Sequence, residues 1–221
     1  MPLPSLLHLC DSLFPTGGYA HSDGLEAATA TGLVATPADV QAWVEGLLAG
    51  PLRELDGPAV RLACEHVEDG RPDALEDLDD ELYAQRPSAS GRDAIRAVGS
   101  RLLRTWHRLH PHPFLETLLS RRAGWTLPVA FGAACATSGV PPREAVEAFL
   151  YTRVAATASA AMRLMPLGQI DAHAIVARAA ERMPGIAAAV MARREAPGAF
   201  MPLVDMLAMR HQHVVTRLFR S

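Results

Sequence analysis

The sequence predicts an all-α fold, a compact multi-helix bundle in a single domain, on three observations. Of the 221 residues, 49% are hydrophobic but only 5% are aromatic, and alanine and leucine dominate the apolar residues, which favours helices over strands. Apolar residues recur at helical spacing through most of the chain, and the alternation typical of strands is not found. A chain of this length suits one domain with a substantial core.

A short helix and a glycine-rich loop open the chain. Residues 3–14 form an apolar segment that is predicted to be a helix ending at Pro15. The loop that follows, residues 15–26, has the sequence PTGGYAHSDGLE. Ser22 is a suitable N-cap for a second helix through Ala30, because a serine oxygen accepts hydrogen bonds from the free N–H groups at a helix start.

The next predicted helices combine a capping residue with an apolar stripe. Thr36 precedes Pro37 and Asp39, an order typical of a helix start. Core-facing residues of this helix recur at i, i+3, i+4, i+7 and i+8, namely Val40, Trp43, Val44, Leu47 and Leu48. Residues 51–68 are predicted as a further helix, with a kink or restart at Pro58.

The rest of the chain is predicted as helices separated by prolines and glycines. The predicted helices are residues 88–110, 127–138, 141–165 and 169–182. Residues 184–202 contain three prolines and are predicted to be looser.

Composition excludes several classes of protein. All 21 basic residues are arginine, so the chain contains no lysine for a P-loop nucleotide-binding site or for Schiff-base chemistry. The three cysteines, Cys10, Cys64 and Cys135, are far apart and predict buried thiols in a reducing compartment. No apolar run approaches the ~18–20 residues of a membrane span, and no basic leader precedes an apolar segment. The expectation is a cytoplasmic protein.

Charge is distributed unevenly along the chain. Residues 1–90 contain 16 acidic residues and four arginines, whereas residues 91–221 contain 8 acidic residues and 17 arginines. Either the two halves fold against each other, or opposite faces meet different partners. The acidic stretch 65–81 favours a solvated helix face over an acidic docking site. Because stacking aromatics do not alternate with the arginines, nucleic-acid binding is not expected.

No group of residues predicts a catalytic site. Ser22 lies next to a histidine and an aspartate, but working triads are assembled in space rather than from sequence neighbours. Cys135 has apolar neighbours, which predict an inert thiol. Asp11 could form a carboxylate pair with Asp23 or Glu26, although the sequence does not fix their separation.

Histidines are the candidate metal ligands. His107, His110 and His112 are the densest cluster and are weak candidates for a nickel, copper or zinc site. The favoured interpretation of this cluster is a helix C-terminus, where cationic side chains offset the negative end of the helix dipole. His211 and His213 are two residues apart and point away from each other on a helix, so only a site shared across a dimer stays open.

The C-terminus places an apolar pair between two arginines. Leu218 and Phe219 lie between Arg217 and Arg220. Arginine and aromatic side chains are common anchors in protein interfaces, which predicts a segment that orders on a partner. A terminal helix folded back on its own core explains these residues equally well.

Three segments together resemble the UreF family of urease accessory proteins. The loop at 15–26 resembles the family's glycine-rich N-terminal signature. SAAMRLMPLGQ at 159–169 resembles its alanine-rich helix that ends in Pro-Leu-Gly-Gln, and MRHQHVVTRLFRS at 209–221 resembles its C-terminal ending. The segments occur in the family's order across the full chain length.

The resemblance implies a non-enzymatic chaperone of metallocentre assembly that is helical and dimeric. Its partners would be a UreD/UreH-like accessory protein, a UreG-like GTPase and apo-urease, without nucleic acid or membrane. The protein would carry no cofactor, because nickel and GTP would belong to partner proteins, and it would modulate GTP-dependent nickel insertion. The competing hypothesis is a histidine-based nickel carrier.

The resemblance also assigns residues to two partner surfaces. Candidates for the surface that meets the GTPase are Tyr19, His21, Ser22, Glu26, Arg163 and Gln169. Candidates for contacts with the UreD-like protein lie in a C-terminal tail, residues 203–221, that orders on binding: Arg210, His211, Thr216, Arg217, Leu218, Phe219 and Arg220. Family members often have lysine where this chain has Arg163, and arginine presents a planar fork in place of a compact ammonium.

Overall fold

The computed structural model describes residues 2–214 and 217–220. Those residues form eleven α-helices and no strand, which confirms the all-α prediction. The helices are α1 Pro2–Cys10, α2 Leu25–Ala30, α3 Pro37–Ala49, α4 Gly57–Glu68, α5 Pro72–Ala84, α6 Ala89–Leu109, α7 Pro113–Arg121, α8 Leu127–Thr137, α9 Pro142–Leu164, α10 Gln169–Ala192 and α11 Pro202–Arg210. A π-helical turn at Leu52–Asp56 leads into α4, and 3-10 turns lie at Gly18–Ala20 and His211–His213. None of the described helices is long and apolar enough to cross a membrane.

Helix α8 lies in the centre of the fold, where it packs against α4 and α6. Every residue from Pro128 to Cys135 is buried. Half of these eight residues are alanine or glycine, whose small side chains let neighbouring helices approach closely. Helix α9 packs against α10 and α4 through its buried stripe. The loop before α2 lies against α9, and α11 packs against α2 and α6.

The crossing of α4 and α8 depends on Gly132. A Cβ atom at this residue would lie 2.7 Å from the Cβ of Ala63 and 2.7 Å from the carbonyl oxygen of Val60. Because overpacking forces the helices apart, Gly132→Ala is expected to lower the free energy of unfolding by about 1–3 kcal/mol, measured by urea denaturation. Gly46 in α3 has open space around it, so the matched change Gly46→Ala should raise that free energy by about 0.5–1 kcal/mol. Equal effects of the two substitutions would contradict the packing argument.

Local sequence signals predict α3 correctly. Thr36 Oγ1 accepts a hydrogen bond from the N–H of Asp39 at 3.2 Å, and the Asp39 carboxylate accepts one from the N–H of Thr36 at 2.8 Å. This reciprocal pair is a capping box. All five residues of the predicted apolar stripe are buried.

Two predicted boundaries near the N-terminus are wrong by a few residues, and a third is confirmed. Helix α1 ends at Cys10 instead of residue 14. The residue before α2 is Gly24, although the Ser22 hydroxyl still accepts a hydrogen bond from the N–H of Glu26 at 3.4 Å. The restart predicted at Pro58 is present, because the π-helical turn ends at Asp56 and α4 begins at Gly57, with Pro58 in its first turn, where proline is well tolerated.

Two further corrections concern proline. Helix α7 lies outside the helices that the sequence predicts. Pro113 occupies its first helical residue, and His112 Nδ1 accepts a capping hydrogen bond from the N–H of Phe114 at 3.2 Å. Residues 184–192 are helical instead of loose, since α10 continues through Pro184 to Ala192.

Ion pairs between the two halves of the chain explain the uneven charge. Acidic residues of α5 face arginines from the end of α7: Asp80 lies 2.6 Å from Arg122, and Glu76 lies 2.8 Å from Arg121. Asp79 in the same helix is fully buried. This pairing supports the interpretation that the halves fold against each other, and the acidic stretch is therefore more than a solvated face.

Candidate partner-binding site

The C-terminal tail packs against the N-terminal loop through the carboxylate of Glu26. Glu26 lies in the first turn of α2 and is 3% exposed. Its Oε2 lies 2.5 Å from Nε2 of His211, which is 1% exposed. The same carboxylate accepts hydrogen bonds from the backbone N–H groups of Leu218 at 2.6 Å and Phe219 at 3.3 Å. One buried carboxylate thus satisfies three donors of the tail.

A tight backbone turn brings α11 close enough for these contacts. Gly24 has a φ of +86°, a conformation that favours glycine. A Cβ atom at Gly24 would lie 3.3 Å from the backbone nitrogen of Ala208 and 3.4 Å from the carbonyl oxygen of Val204. A larger residue at this position would therefore be strained and would crowd α11.

Arg163 joins the loop and the tail from the last turn of α9. Its Nη2 donates a hydrogen bond to the carbonyl oxygen of Tyr19 at 2.6 Å, and its guanidinium lies over the ring of Phe219 at 4.2 Å. A cation above an aromatic face is attracted by the ring quadrupole. The N–H of Arg220 donates to the carbonyl oxygen of Ala20 at 2.8 Å. We call residues 19–26, Arg163, and residues 211–214 and 217–220 the tail–loop cluster.

His21 is a partly buried histidine in a positively charged environment. Burial lowers its pKa to about 4, with smaller contributions from Arg153, Arg220, Arg101 and His211. The imidazole is therefore neutral near pH 7 and adds no positive charge to the tail–loop cluster.

The cluster has buried and exposed parts. Ser22, Glu26, His211 and Phe219 are buried. Tyr19 is 76% exposed and Leu218 is 65% exposed. Arg210, Arg217, Arg220 and Gln169 are also exposed, with Gln169 at the start of α10. Thr216 lies outside the described residues.

Two groups of residues that the resemblance assigned to different partners contact each other. Glu26 from the first group holds His211 from the second, and Arg163 from the first lies over Phe219 from the second. The tail is packed on its own protein, which is one of the two alternatives that the sequence left open.

Sequence reasoning missed an apolar surface on and beside α11. Its members are all more than 45% exposed: Phe200, Leu203, Met206 and Met209. Opposite them, Leu207 is buried. The three-residue spacing of the last three is helical and could have indicated the surface. We call these four residues the α11 surface.

The candidate metal ligands have structural roles. His107 Nδ1 accepts a hydrogen bond from the N–H of His112 at 3.4 Å, and His112 caps α7. The ring of His110 lies against Trp106 with centroids 4.2 Å apart. His213 is exposed. In residues 2–214 and 217–220, no three histidine, cysteine, aspartate or glutamate side chains form a group that could hold a metal ion.

The candidate reactive groups are in unreactive settings. Burial raises the pKa of the Cys135 thiol well above its ordinary value. Asp23 forms an ion pair with Arg153, and Glu26 binds the tail. Asp11 accepts a hydrogen bond from the N–H of Leu13 at 2.8 Å. Within the tail–loop cluster, the carboxylates of Asp23 and Glu26 therefore hold segments of the protein together.

Comparison with known proteins gives consistent matches over the whole chain. The UreF family model matches residues 34–180. Urease accessory protein UreF of Arthrobacter sp. (strain FB24) is 33% identical over 225 residues, covering 98% of this chain and 96% of that protein. The proteins of the same description from Ralstonia pickettii (strain 12J) and Bacillus sp. (strain TB-90) are 33% identical over 228 residues and 29% identical over 224 residues. They cover 99% of this chain, and 97% and 99% of their own lengths.

Proposed function

The chain belongs to the UreF family of urease accessory proteins, and we propose that it is a scaffold that links a UreD/UreH-like protein and a UreG-like GTPase to apo-urease. Proteins of this family are accessory factors and not enzymes. In this proposal the scaffold modulates GTP-dependent delivery of nickel, while the nickel and the GTP are carried by the partners. A homodimer and a cytoplasmic location follow from the resemblance to the family and stay predictions.

The tail–loop cluster is the observation that carries this proposal. Its buried carboxylate, Glu26, fixes the tail on the loop, and its exposed side chains, Tyr19 and Leu218, lie at the surface. A rigid surface loses less conformational entropy on binding than a flexible one, so this arrangement favours association. The residues used are hydrogen-bonding, apolar and guanidinium groups, which suits recognition rather than turnover.

The α11 surface supports a UreD-like partner at the tail. Four large apolar side chains are exposed on nine residues of helix and the segment before it. Exposed apolar patches mark sites of protein association, and methionine and phenylalanine are enriched there. Contact by this surface leaves the buried Phe219 in place, so the tail need not unfold to bind.

The loop and Arg163 support the GTPase as the second partner. The chain has no lysine for a phosphate-binding loop, so a GTP-dependent step requires another protein. Tyr19 is exposed beside the Arg163 guanidinium, and both residue types are common anchors of interfaces. We infer that the GTPase meets the loop while the UreD-like protein meets α11.

Substitutions that introduce negative charge on the α11 surface test the proposal. The double variant Leu203→Glu and Met206→Glu is expected to lower affinity for the co-expressed UreD-like protein by more than about 100-fold, because two buried carboxylates replace apolar anchors. Co-purification followed by mass measurement of the assembly checks this. Both side chains are more than half exposed, so the fold should be retained.

The matched control is Ile170→Glu on α10, whose side chain is 85% exposed. It should leave capture of the UreD-like protein unchanged. Wild-type protein that captures neither partner would contradict the scaffold, and undiminished capture by the double variant would contradict the α11 surface.

A further inference from the structure

Three arginines form a stripe along the exposed face of α6. Arg101, Arg104 and Arg108 are spaced by three and four residues and are all exposed, so they share one helix face. The stripe is about 10 Å long, given the rise of about 1.5 Å per residue. The opposite face of α6 is buried in the core and includes Leu103 and Trp106. We call these three arginines the basic stripe.

The basic stripe is not neutralised within its own chain. Among the described residues no salt bridge joins its three arginines to a carboxylate, whereas Arg96 on the same helix pairs with Asp79 and Asp80. Three like charges on one helix face repel one another when no carboxylate lies between them. The positive excess of the second half of the sequence is thus concentrated partly on this face.

Two backbone carbonyls hold the stripe in position. Arg101 donates a hydrogen bond to the carbonyl oxygen of Thr16 at 3.0 Å, and Arg104 donates one to that of Ala123 at 3.3 Å. These bonds fix guanidinium groups without removing their charge. Arg101 therefore connects the stripe directly to the loop at 15–26.

We propose that the basic stripe docks an acidic protein segment of the partner that contacts the loop. Carboxylates at i, i+3 or i+4, and i+7 of a partner helix would match the spacing of the three arginines, and guanidinium groups bind carboxylates in a bidentate geometry. The proposal rests on the proposed function, which identifies that partner as the UreG-like GTPase. The stripe adds an electrostatic contact that steers and orients the complex.

The surroundings of the stripe favour a protein over a nucleic acid or a membrane. Thr105 lies between Arg104 and Arg108, and Ala97 lies one turn before Arg101. Neither side chain offers an aromatic ring for base stacking or a large apolar group for insertion into lipid. Leu109 at the end of the helix is exposed, and Asp93 lies on the same face two turns towards the N-terminus, where it limits the positive region.

The test reverses charge at the two arginines farthest from the loop. Purified full-length Arg104→Glu/Arg108→Glu protein is titrated with the UreG-like GTPase by calorimetry at about 0.05 M and about 0.5 M NaCl. Its affinity is expected to fall by about tenfold or more at low salt and by about twofold at high salt, because screening weakens exposed charge pairs. The control Arg182→Glu/Arg194→Glu makes the same change of net charge at exposed positions of α10 and beyond and should bind like the wild type.

The outcomes separate this proposal from the proposed function. Absence of GTPase binding by the wild type would overturn both. If the wild type binds the GTPase and the stripe variant binds it as tightly as the control variant does, the proposal for the basic stripe is wrong and the proposed function stands. A stripe variant that changes only self-association, measured by light scattering, or only binding to anionic phosphatidylserine vesicles would also overturn it.

Discussion

Replacing Glu26 by alanine is expected to detach the C-terminal tail from the body of the protein. The substitution removes the acceptor of three donors, His211 Nε2 and the N–H groups of Leu218 and Phe219. Leaving buried donors unpaired costs about 1–3 kcal/mol each, and release of the tail to water avoids that cost. The core helices do not depend on these bonds, so we expect them to stay folded.

Hydrogen exchange measured by mass spectrometry checks the detachment. Protection of the Leu218 and Phe219 amides should fall by about 100-fold, which corresponds to a loss of about 2.7 kcal/mol. Glu26→Gln keeps an acceptor oxygen and should give an intermediate loss. Glu181→Ala, at an exposed position of α10, should leave the exchange of both amides unchanged. Retained protection in the alanine variant would show that Phe219 packing alone holds the tail.

The expected consequence for binding follows from the loss of order. A detached tail no longer holds the α11 surface in one orientation relative to the loop, and ordering it again on a partner lowers the affinity. We expect capture of the UreD-like protein to weaken in parallel with the loss of amide protection across the alanine and glutamine variants.

The largest expected effect on stability is that of Asp79→Ala. Asp79 is fully buried and accepts a hydrogen bond from the N–H of Thr126 at 2.5 Å. Its other oxygen lies 3.3 Å from Arg96 and 3.5 Å from Arg122. The carboxylate therefore ties α5 to α6 and to the connection between α7 and α8. Removing it is expected to lower the free energy of unfolding by about 3–5 kcal/mol, because buried charges and a backbone N–H lose their partner.

Urea denaturation followed by circular dichroism measures this effect. Asp79→Asn keeps an acceptor for Thr126 and should cost less than the alanine substitution. Asp77→Ala, on the exposed side of the same helix, should change the free energy of unfolding by no more than about 0.5 kcal/mol. Equal changes in the free energy of unfolding for Asp79→Ala and Asp77→Ala would show that the ion pairs of Asp79 do not stabilise the contact of α5 with α6.

Features set by neighbouring residues could be predicted from the sequence. The capping box of Thr36 and Asp39 spans four residues, and the stripe of α3 follows from helical periodicity alone. Proline was harder to interpret. Pro184 lies inside α10, where it costs about 3 kcal/mol, yet burial of Ile186, Ala187 and Val190 beyond it keeps the helix continuous.

The candidate site could be predicted only as separate residues. The resemblance identifies Glu26, Arg163 and the tail, but Glu26 and His211 are 185 positions apart in the sequence, and Glu26 and Leu218 are 192 apart. No local pattern specifies such a contact. The resemblance therefore assigned to two partners the residues that the fold brings into one cluster.

The segregation of charge along the chain also has a consequence during synthesis. The acidic residues of α5 leave the ribosome well before Arg121 and Arg122, which pair with them, and α4 emerges before α8, against which it packs. Early in translation the nascent polypeptide is strongly anionic and lacks the helix that fills its centre. Self-repulsion at that stage would keep it extended and protect it from premature collapse, and cooperative folding would begin only after the arginine-rich portion has been made.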